Sequence, residues 1–531
     1  MLAASAIIEA AGVIVPIYPT LTAKEAGYVA THSDAKAVFV GDQEHLDKTL
    51  QFWPRCGALR LVITLSPDIA ANDERVVSFE QVVKEGEADY NADAERERIA
   101  AVTEEDVAAI IYTSGTTGVP KGVVLTHGNF LSQRIVPKLF DLAPSDTWLS
   151  HLPLCHSFGF VADYMGCLDV GASMGMSEGL DPRSMQEAMR ATRPTVLVSV
   201  PRLYEKLYLR VLSILDTRPP ALQKTFWAAH GVGLAVFGYR NEGKRVPTGL
   251  SLKYKAAQVV LGKVKEQAGL DRVRVAYGGG GPLSKDLMAF FNGLGIDIYQ
   301  GYGLTETSPI ATVTVPGDNV LGTVGRAIPK VEIRIDDDGE VLIKGPNVFR
   351  EYYKDADSTK ESFTGDGFFR SGDIGRLDGA GRLMITDRKK ELIITSAGKN
   401  IAPLGIETAF NTDPYIERLI LIGDNRHYLT ALVQVDFDRV SAWAKAKGLS
   451  FSTNRELVDL PEVTALVQER VDVVNAELAR FETIKKFTLV DHEFSEENGV
   501  LTPSQKVKRR VVTEKYGREI DAMYGETAKA V

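Results

Sequence analysis

The chain has 531 residues, 44% of them hydrophobic and 25% charged, with a net charge of −9 at neutral pH. That length exceeds one hydrophobic core, the composition is that of an ordinary globular protein, and the mild acidity gives no support to nucleic-acid binding. Only three cysteines occur, Cys56, Cys155 and Cys167, without metal-ligand or Cys-x-x-Cys spacing, which excludes a disulfide scaffold and fits a reducing compartment.

The opening is apolar, but no Lys or Arg precedes Lys24, Glu9 interrupts the run and Pro16 ends it. It reads as a buried helix entering a strand rather than a signal peptide. No uncharged apolar run reaches the ~18 residues of a membrane span. Strand-like runs at 37–40, 107–111, 195–200 and 273–277 alternate with helical patterns, which predicts stacked α/β layers. After 107–111 comes Tyr112-Thr113-Ser114-Gly115-Thr116-Thr117-Gly118-Val119-Pro120-Lys121-Gly122. Glycines let successive N–H groups converge on an anion, the hydroxyls add donors and Lys121 adds charge, the makings of a phosphate cradle. It is not a Walker loop, because two residues rather than four separate Gly115 from Gly118, and glycine follows Lys121. On composition alone the string also suits a mobile surface turn.

The 273–277 run ends in four glycines, 278–281, followed by Leu287, Phe290, Phe291 and Leu294 at helical spacing. Such a junction brings backbone close to a ligand, and a plain sharp turn reads the same way. From residue 331 short strands at 331–335 and 340–343 flank Asp336-Asp337-Asp338-Gly339, the mark of a β-rich subdomain. Beyond Arg388 a smaller α+β unit is expected, with strands at 419–422 and 429–435. A helix opening at Pro461 comes next, whose stripe of Val463, Leu466, Val467, Val471, Val474, Leu478 and Phe481 is core. The closing cluster Lys506, Lys508, Arg509 and Arg510 reads, on charge alone, as a solvated patch.

The string from Tyr112 to Gly122 is succeeded in order by Tyr302-Gly303-Leu304-Thr305-Glu306-Thr307, Ser371-Gly372-Asp373, Asp387-Arg388-Lys389-Lys390-Glu391 and, near the end, Lys506. Together these resemble the signatures of the adenylate-forming superfamily of acyl-CoA synthetases, luciferases and peptide-synthetase adenylation domains, over essentially the whole chain. The resemblance implies an α/β fold with a large multi-layer N-terminal domain, 1–387, made of stacked sheets with helices plus a β-rich subdomain. A smaller mobile α+β C-terminal domain, 388–531, would join it at a hinge near Lys390. Members usually carry some tens of residues before the segment that matches Ala10 to Pro19, so an N-terminal piece is expected to be missing.

The same resemblance implies ATP, Mg²⁺ and coenzyme A, and two half-reactions. First a carboxylate attacks the α-phosphorus of ATP and expels pyrophosphate, a step that needs cations and dipoles more than a strong base. Thr113, Ser114, Gly115, Thr116, Thr117, Gly118 and Lys121 would hold the outer phosphates, Thr305 would contact the α-phosphate, and Glu306 would offer Mg²⁺ a hard oxygen. Gly279 and Gly280 join the nucleotide site. Tyr302 would stack on adenine, and Asp373, assisted by Arg388, would accept the ribose hydroxyls. Lys506 would bridge the attacking carboxylate and the α-phosphate. Rotation at Lys390 would then withdraw Lys506 and present the segment around Gly398 for attack by a thiol on the acyl-AMP. His156 matches a position beside the acyl site, while Cys155 and Cys167 are expected to be buried packing residues.

Residues 200–208, the stretch before Val273 and residues 394–403 resemble the long-chain fatty acyl-CoA synthetase branch, so a medium- to long-chain fatty acid is the expected substrate of an AMP-forming CoA ligase. An aryl acid, a carrier-protein acceptor or a catalytically inactive nucleotide- or lipid-binding derivative stays open. Against the last stands the joint presence of Glu306, Asp373, Arg388 and Lys506. A cytoplasmic location, with peripheral membrane contact allowed, completes the expectation.

Overall fold

The computed structural model describes residues 1–531 apart from 114–118, 178, 180–181, 397, 503–504, 526–531 and the side chain of Pro182. Its largest sheet has seven strands. From edge to edge they are Arg326–Ala327, Thr312–Val313, Ile298–Tyr302, Val275–Gly278, Val196–Ser199, Thr147–Ser150 and Ser173–Met176. The last five pair in parallel, and the two short edge strands are antiparallel. A parallel sheet has to be covered on both faces, and Val196–Ser199 is accordingly buried at every position. Over one face lie the Pro201–Asp216 and Lys285–Gly293 helices, whose Tyr204, Leu207, Phe290 and Phe291 belong to one apolar core with Leu197, Ala276 and Ile298 of the strands.

Parallelism has a positional consequence: all strand carboxyl ends open at one edge, so the segments after Ser150, Ser199, Gly278 and Tyr302 converge there. Around that edge stand the hairpin Val107–Thr113/Lys121–Thr126, extended by Glu351–Tyr352, and an antiparallel sheet of Glu332–Ile335, Glu340–Lys344, Phe369–Leu377 and Leu383–Arg388. The predicted turn joins the first two strands of that sheet, with Gly339 at φ +85° as the turn requires. A small parallel sheet, Ala37–Val40, Leu61–Thr64 and Val76–Ser78, lies near the N-terminus.

After Lys390 the chain forms a smaller unit around Ile416–Ile422, Leu429–Val435 and Ile484–Val490. The central strand is buried at all seven positions because both faces are covered. Leu429, Ala431 and Val433 pack toward the Phe437–Ala446 and Pro461–Asn475 helices, and Leu432 packs toward the Arg509–Lys515 and Gly517–Tyr524 helices. Arg202 of the large unit pairs with Glu417 of the small one, and Arg439 Nη2 donates to the Leu209 carbonyl at 3.4 Å.

Two sequence readings need correction. The N-terminal Leu2–Glu9 helix buries none of its residues fully; Ala4, Ile7 and Ile8 only lean on the core, and the chain after it makes an isolated bridge from Ile14 to Ala109 rather than a strand. The helix at Pro461 stops at Asn475, short of its apolar stripe. The Asn475 side chain donates to the Ile484 carbonyl at 3.0 Å and accepts from the Ile484 N–H at 2.8 Å, turning the chain back. Leu478 therefore packs from the connection, and Phe481 is left 47% exposed.

Candidate active site

One cavity of about 2350 Å³ occupies the convergent edge. His156, Gly279, Gly280, Tyr302, Thr305 and Glu306 enter it from the strand ends, Thr113 and Lys121 from the hairpin, Asp373, Arg388 and Lys390 from the antiparallel sheet and its exit turn, and Lys506 from the small unit. Residues 114–118 of the expected phosphate loop lie outside the described residues. Gly398 does not line the cavity. It sits in a tight turn at φ +72°, its N–H donating to the Thr395 carbonyl at 2.8 Å.

Asp373 and Arg388 face each other across neighbouring strands, and Arg388 Nε lies 3.1 Å from Asp373 Oδ1. The Tyr302 hydroxyl donates to the other carboxylate oxygen at 2.7 Å. Burial pushes the Asp373 carboxyl above its ordinary range against the opposing pull of Arg388. With one donor on each oxygen, a carboxylate retains lone pairs for a pair of hydroxyls.

Glu306 is organised by residues that carry no sequence motif. Tyr352 donates its hydroxyl to Glu306 Oε1 at 2.9 Å, and the Phe349 N–H donates to the Glu306 carbonyl at 2.8 Å. Lys121 Nζ lies 4.9 Å from the centre of the Tyr352 ring and donates to Ser358 Oγ at 2.5 Å, with Asp355 at 3.8 Å. Tyr352 thus ties the lysine of the loop to the acid. Desolvation raises the Glu306 pKa; a divalent cation would favour the ionised form, so this hard oxygen donor fits Mg²⁺. Thr305 Oγ1 shares a 3.2 Å hydrogen bond with Ser157 Oγ, which joins the Glu306 segment to the one carrying His156.

Lys506 stands on a reversal of the chain held by the Leu501–Val507 bridge and by Thr502, whose N–H donates to the Lys506 carbonyl at 2.8 Å and whose hydroxyl accepts the Lys506 N–H at 3.1 Å. Lys506 is exposed toward the cleft; desolvation by the protein around it lowers its pKa, Arg388 pushes the same way, and Asp373, Glu391 and Glu306 oppose. Burial and then the charge of Lys506 push His156 down to about 4, so its ring is neutral at physiological pH. Its Nδ1 accepts the Phe158 N–H at 3.1 Å, which assigns the proton to Nε2.

Part of the cavity lining is apolar. Phe158, Val161, Ala162 and Met165 line it from a π-helix, Phe158–Met165, against Val136 and Trp148. At a more polar part of the wall stands the ion pair Arg134–Asp169, flanked by exposed Leu131 and Leu168. Apart from Phe158, which shares the segment of His156, none of this wall carries a motif. Cys155 is half-buried rather than buried, Cys167 is buried, and desolvation pushes their thiols up to about 12 and about 11, which leaves them protonated and poor nucleophiles.

A family model described as AMP-binding enzyme matches residues 1–353, and one described as AMP-binding enzyme C-terminal domain matches residues 390–528. The chain is 32% identical over 536 residues to a long-chain-fatty-acid--CoA ligase, FadD15, of Mycobacterium bovis, which covers 98% of this chain and 85% of the relative. It is likewise 32% identical over 542 residues to the peroxisomal long chain acyl-CoA synthetase 7 of Arabidopsis thaliana, 97% of this chain and 75% of that one. Among solved structures, ATP-bound MatB from Rhodopseudomonas palustris superposes with a TM-score of 0.65 at 25% identity, over 97% of this chain and 85% of the other.

Proposed function

The chain belongs to the AMP-binding enzyme family, and from that premise we propose that it activates a fatty acid with ATP as acyl-AMP and passes the acyl group to coenzyme A. The observation that carries this reading is one cavity whose lining has two parts, a charged one with Glu306, Asp373, Arg388 and Lys506 and an apolar one with Phe158, Val161, Met165 and Trp148. An amphiphile with a carboxylate head needs both parts. The relatives named as acyl-CoA ligases and the ATP-bound neighbour support the same pairing of substrates.

In the first step a carboxylate oxygen bonds to the α-phosphorus and pyrophosphate leaves. Lys506 and Arg388 offset the charge that gathers there, and Asp373 holds the ribose. Mg²⁺ held by Glu306 would neutralise phosphate charge. In the second step the thiol sulfur of coenzyme A bonds to the acyl carbon and AMP leaves. Turning the smaller unit about the exit turn at Lys390 exchanges Lys506 for the Gly398 segment between the two steps.

Pyrophosphate release measured with acids from acetate to long-chain species tests the substrate class. Each buried methylene contributes roughly 0.8 kcal/mol, about fourfold in apparent affinity, until the apolar part is full. Acetate or an aromatic acid as the best substrate would overturn the reading. The Arg134–Asp169 pair is part of the cavity lining, so the double variant Arg134→Ala/Asp169→Ala should move the preferred length upward by a few carbons; an unchanged profile would remove the pair from the acyl path.

The pH profile is set by the electrostatics of Lys506. Desolvation and Arg388 favour its neutral amine, so the proton required in the first step is lost as pH rises at a value below the ordinary lysine range. Acyl-AMP formation should therefore have an early alkaline limb. Lys506→Arg, which keeps its proton at every accessible pH, should abolish that limb even where it lowers the rate.

A further inference from the structure

The Pro220–Asn241 and Thr248–Ala268 helices pack side by side as an outer layer over the Pro201–Asp216 and Lys285–Gly293 helices. The middle of the first, from Phe226 to Gly238, is apolar on every side but for His230. Phe226, Ala229, Gly233 and Val236 face the core, while Trp227, Ala228, Gly231 and Ala235 are exposed, Trp227 by 45%. Residues 225–239 contain no Lys, Arg, Asp or Glu. A helix apolar all round is ordinarily enclosed by protein or lipid, and this one is enclosed on one side only. Among the described residues no helix is long and apolar enough to cross a membrane. The second helix exposes Leu252 and Val259, 64% each and seven residues apart on one face, interleaved with exposed Lys255 and Lys263.

Charge selects the occupant. From Pro220 to Ala268 there are eight basic residues and two acidic ones, Glu242 and Glu266, a local net of +6 in a chain whose total is −9. A second copy docking face to face would set this positive surface against itself, because a twofold interface uses the same patch twice. An anionic bilayer offers an apolar boundary and negative headgroups together, which is what a basic amphipathic surface binds. We propose that the helical hairpin 220–268 seats the protein on an anionic lipid surface. Trp227, Leu252 and Val259 enter the headgroup boundary, and Lys255 and Lys263 meet lipid phosphates. Such seating is independent of which acid the enzyme activates.

The test is co-sedimentation of the full chain with phosphatidylcholine vesicles, with and without phosphatidylglycerol. The expected result is binding confined to the anionic vesicles and weakened by salt. Lys255→Glu/Lys263→Glu should reduce it by about 30-fold or more, the weight of two basic residues near an anionic surface. Trp227→Ser should weaken it too, with the thermal midpoint of both variants close to that of the parent. Absence of binding, equal binding to both vesicle types, or binding indifferent to both variants would overturn the proposal. So would a vesicle-free dimer, seen by sedimentation velocity, that Trp227→Ser dissociates.

Discussion

Lys506→Ala is expected to slow acyl-AMP formation by about 10²–10³-fold, the weight of one preorganised charge at a developing negative centre, and to leave conversion of supplied acyl-AMP to thioester near the parent rate. Lys506 reaches the cavity from a reversal of the small unit, near Arg388, Asp373 and His156, and contributes nothing to a core. Its removal relieves repulsion with Arg388, so stability should not fall. Gly398→Leu is the counterpart. No atom lies within 4 Å of a Cβ built there, so the first carbon of a new side chain has open space in this orientation. It does place an L side chain at φ +72°, a strain of about 1–2 kcal/mol that a surface turn tolerates. The second half-reaction should suffer and the first persist. Single-turnover assays of each half-reaction decide the matter: equal loss of both steps in both variants would exclude exchange of the two segments at one site.

Glu306→Gln should be the second large effect, a loss of about 10²–10³-fold in acid-dependent pyrophosphate release. The amide keeps an oxygen to accept the Tyr352 hydroxyl, which lies 2.9 Å from Oε1, so shape and hydrogen bonding survive while the charge is lost. A thermal midpoint near that of the parent would show that the fold is intact. Tyr352→Phe removes one hydrogen bond to a charged group and should cost roughly tenfold. Full turnover by a folded Glu306→Gln variant would rule out the acid as a metal ligand.

The polar end of the cavity was legible in the sequence because each of its segments is locally distinctive: a strand end next to glycine, or a polar cluster framed by strand patterns. Tyr302, Asp373 and Arg388 come from separate motifs and meet within hydrogen-bond distance. Strand positions were legible for the same local reason, with edges displaced by up to three residues, as in 273–277 against Val275–Gly278 and 419–422 against Ile416–Ile422. What the sequence hid depends on tertiary context. Tyr352 reaches Glu306 because Glu351–Tyr352 pairs with Lys121–Thr126, more than two hundred residues earlier. Arg134 and Asp169 are ordinary surface types until the fold sets them side by side. The stripe through Phe481 kept a helical period past the point where Asn475 turns the chain, since periodicity records apolar spacing and not the hydrogen bonds that end a helix.

The widened turns of Phe158–Met165 give the apolar wall a way to change during evolution. An i→i+5 ladder holds more residues per turn than an α-helix and sits close in energy to it. Deleting one residue there can be absorbed by reverting to ordinary helical bonding, with the flanking strand Thr147–Ser150 and the Gly166–Val170 helix kept in place. The residues that face the cavity would nevertheless be re-dealt, because every side chain between the deletion and the helix end rotates about the axis. Length variation at this one segment is therefore a route by which descendants of the same scaffold can diverge in substrate without repacking their sheets.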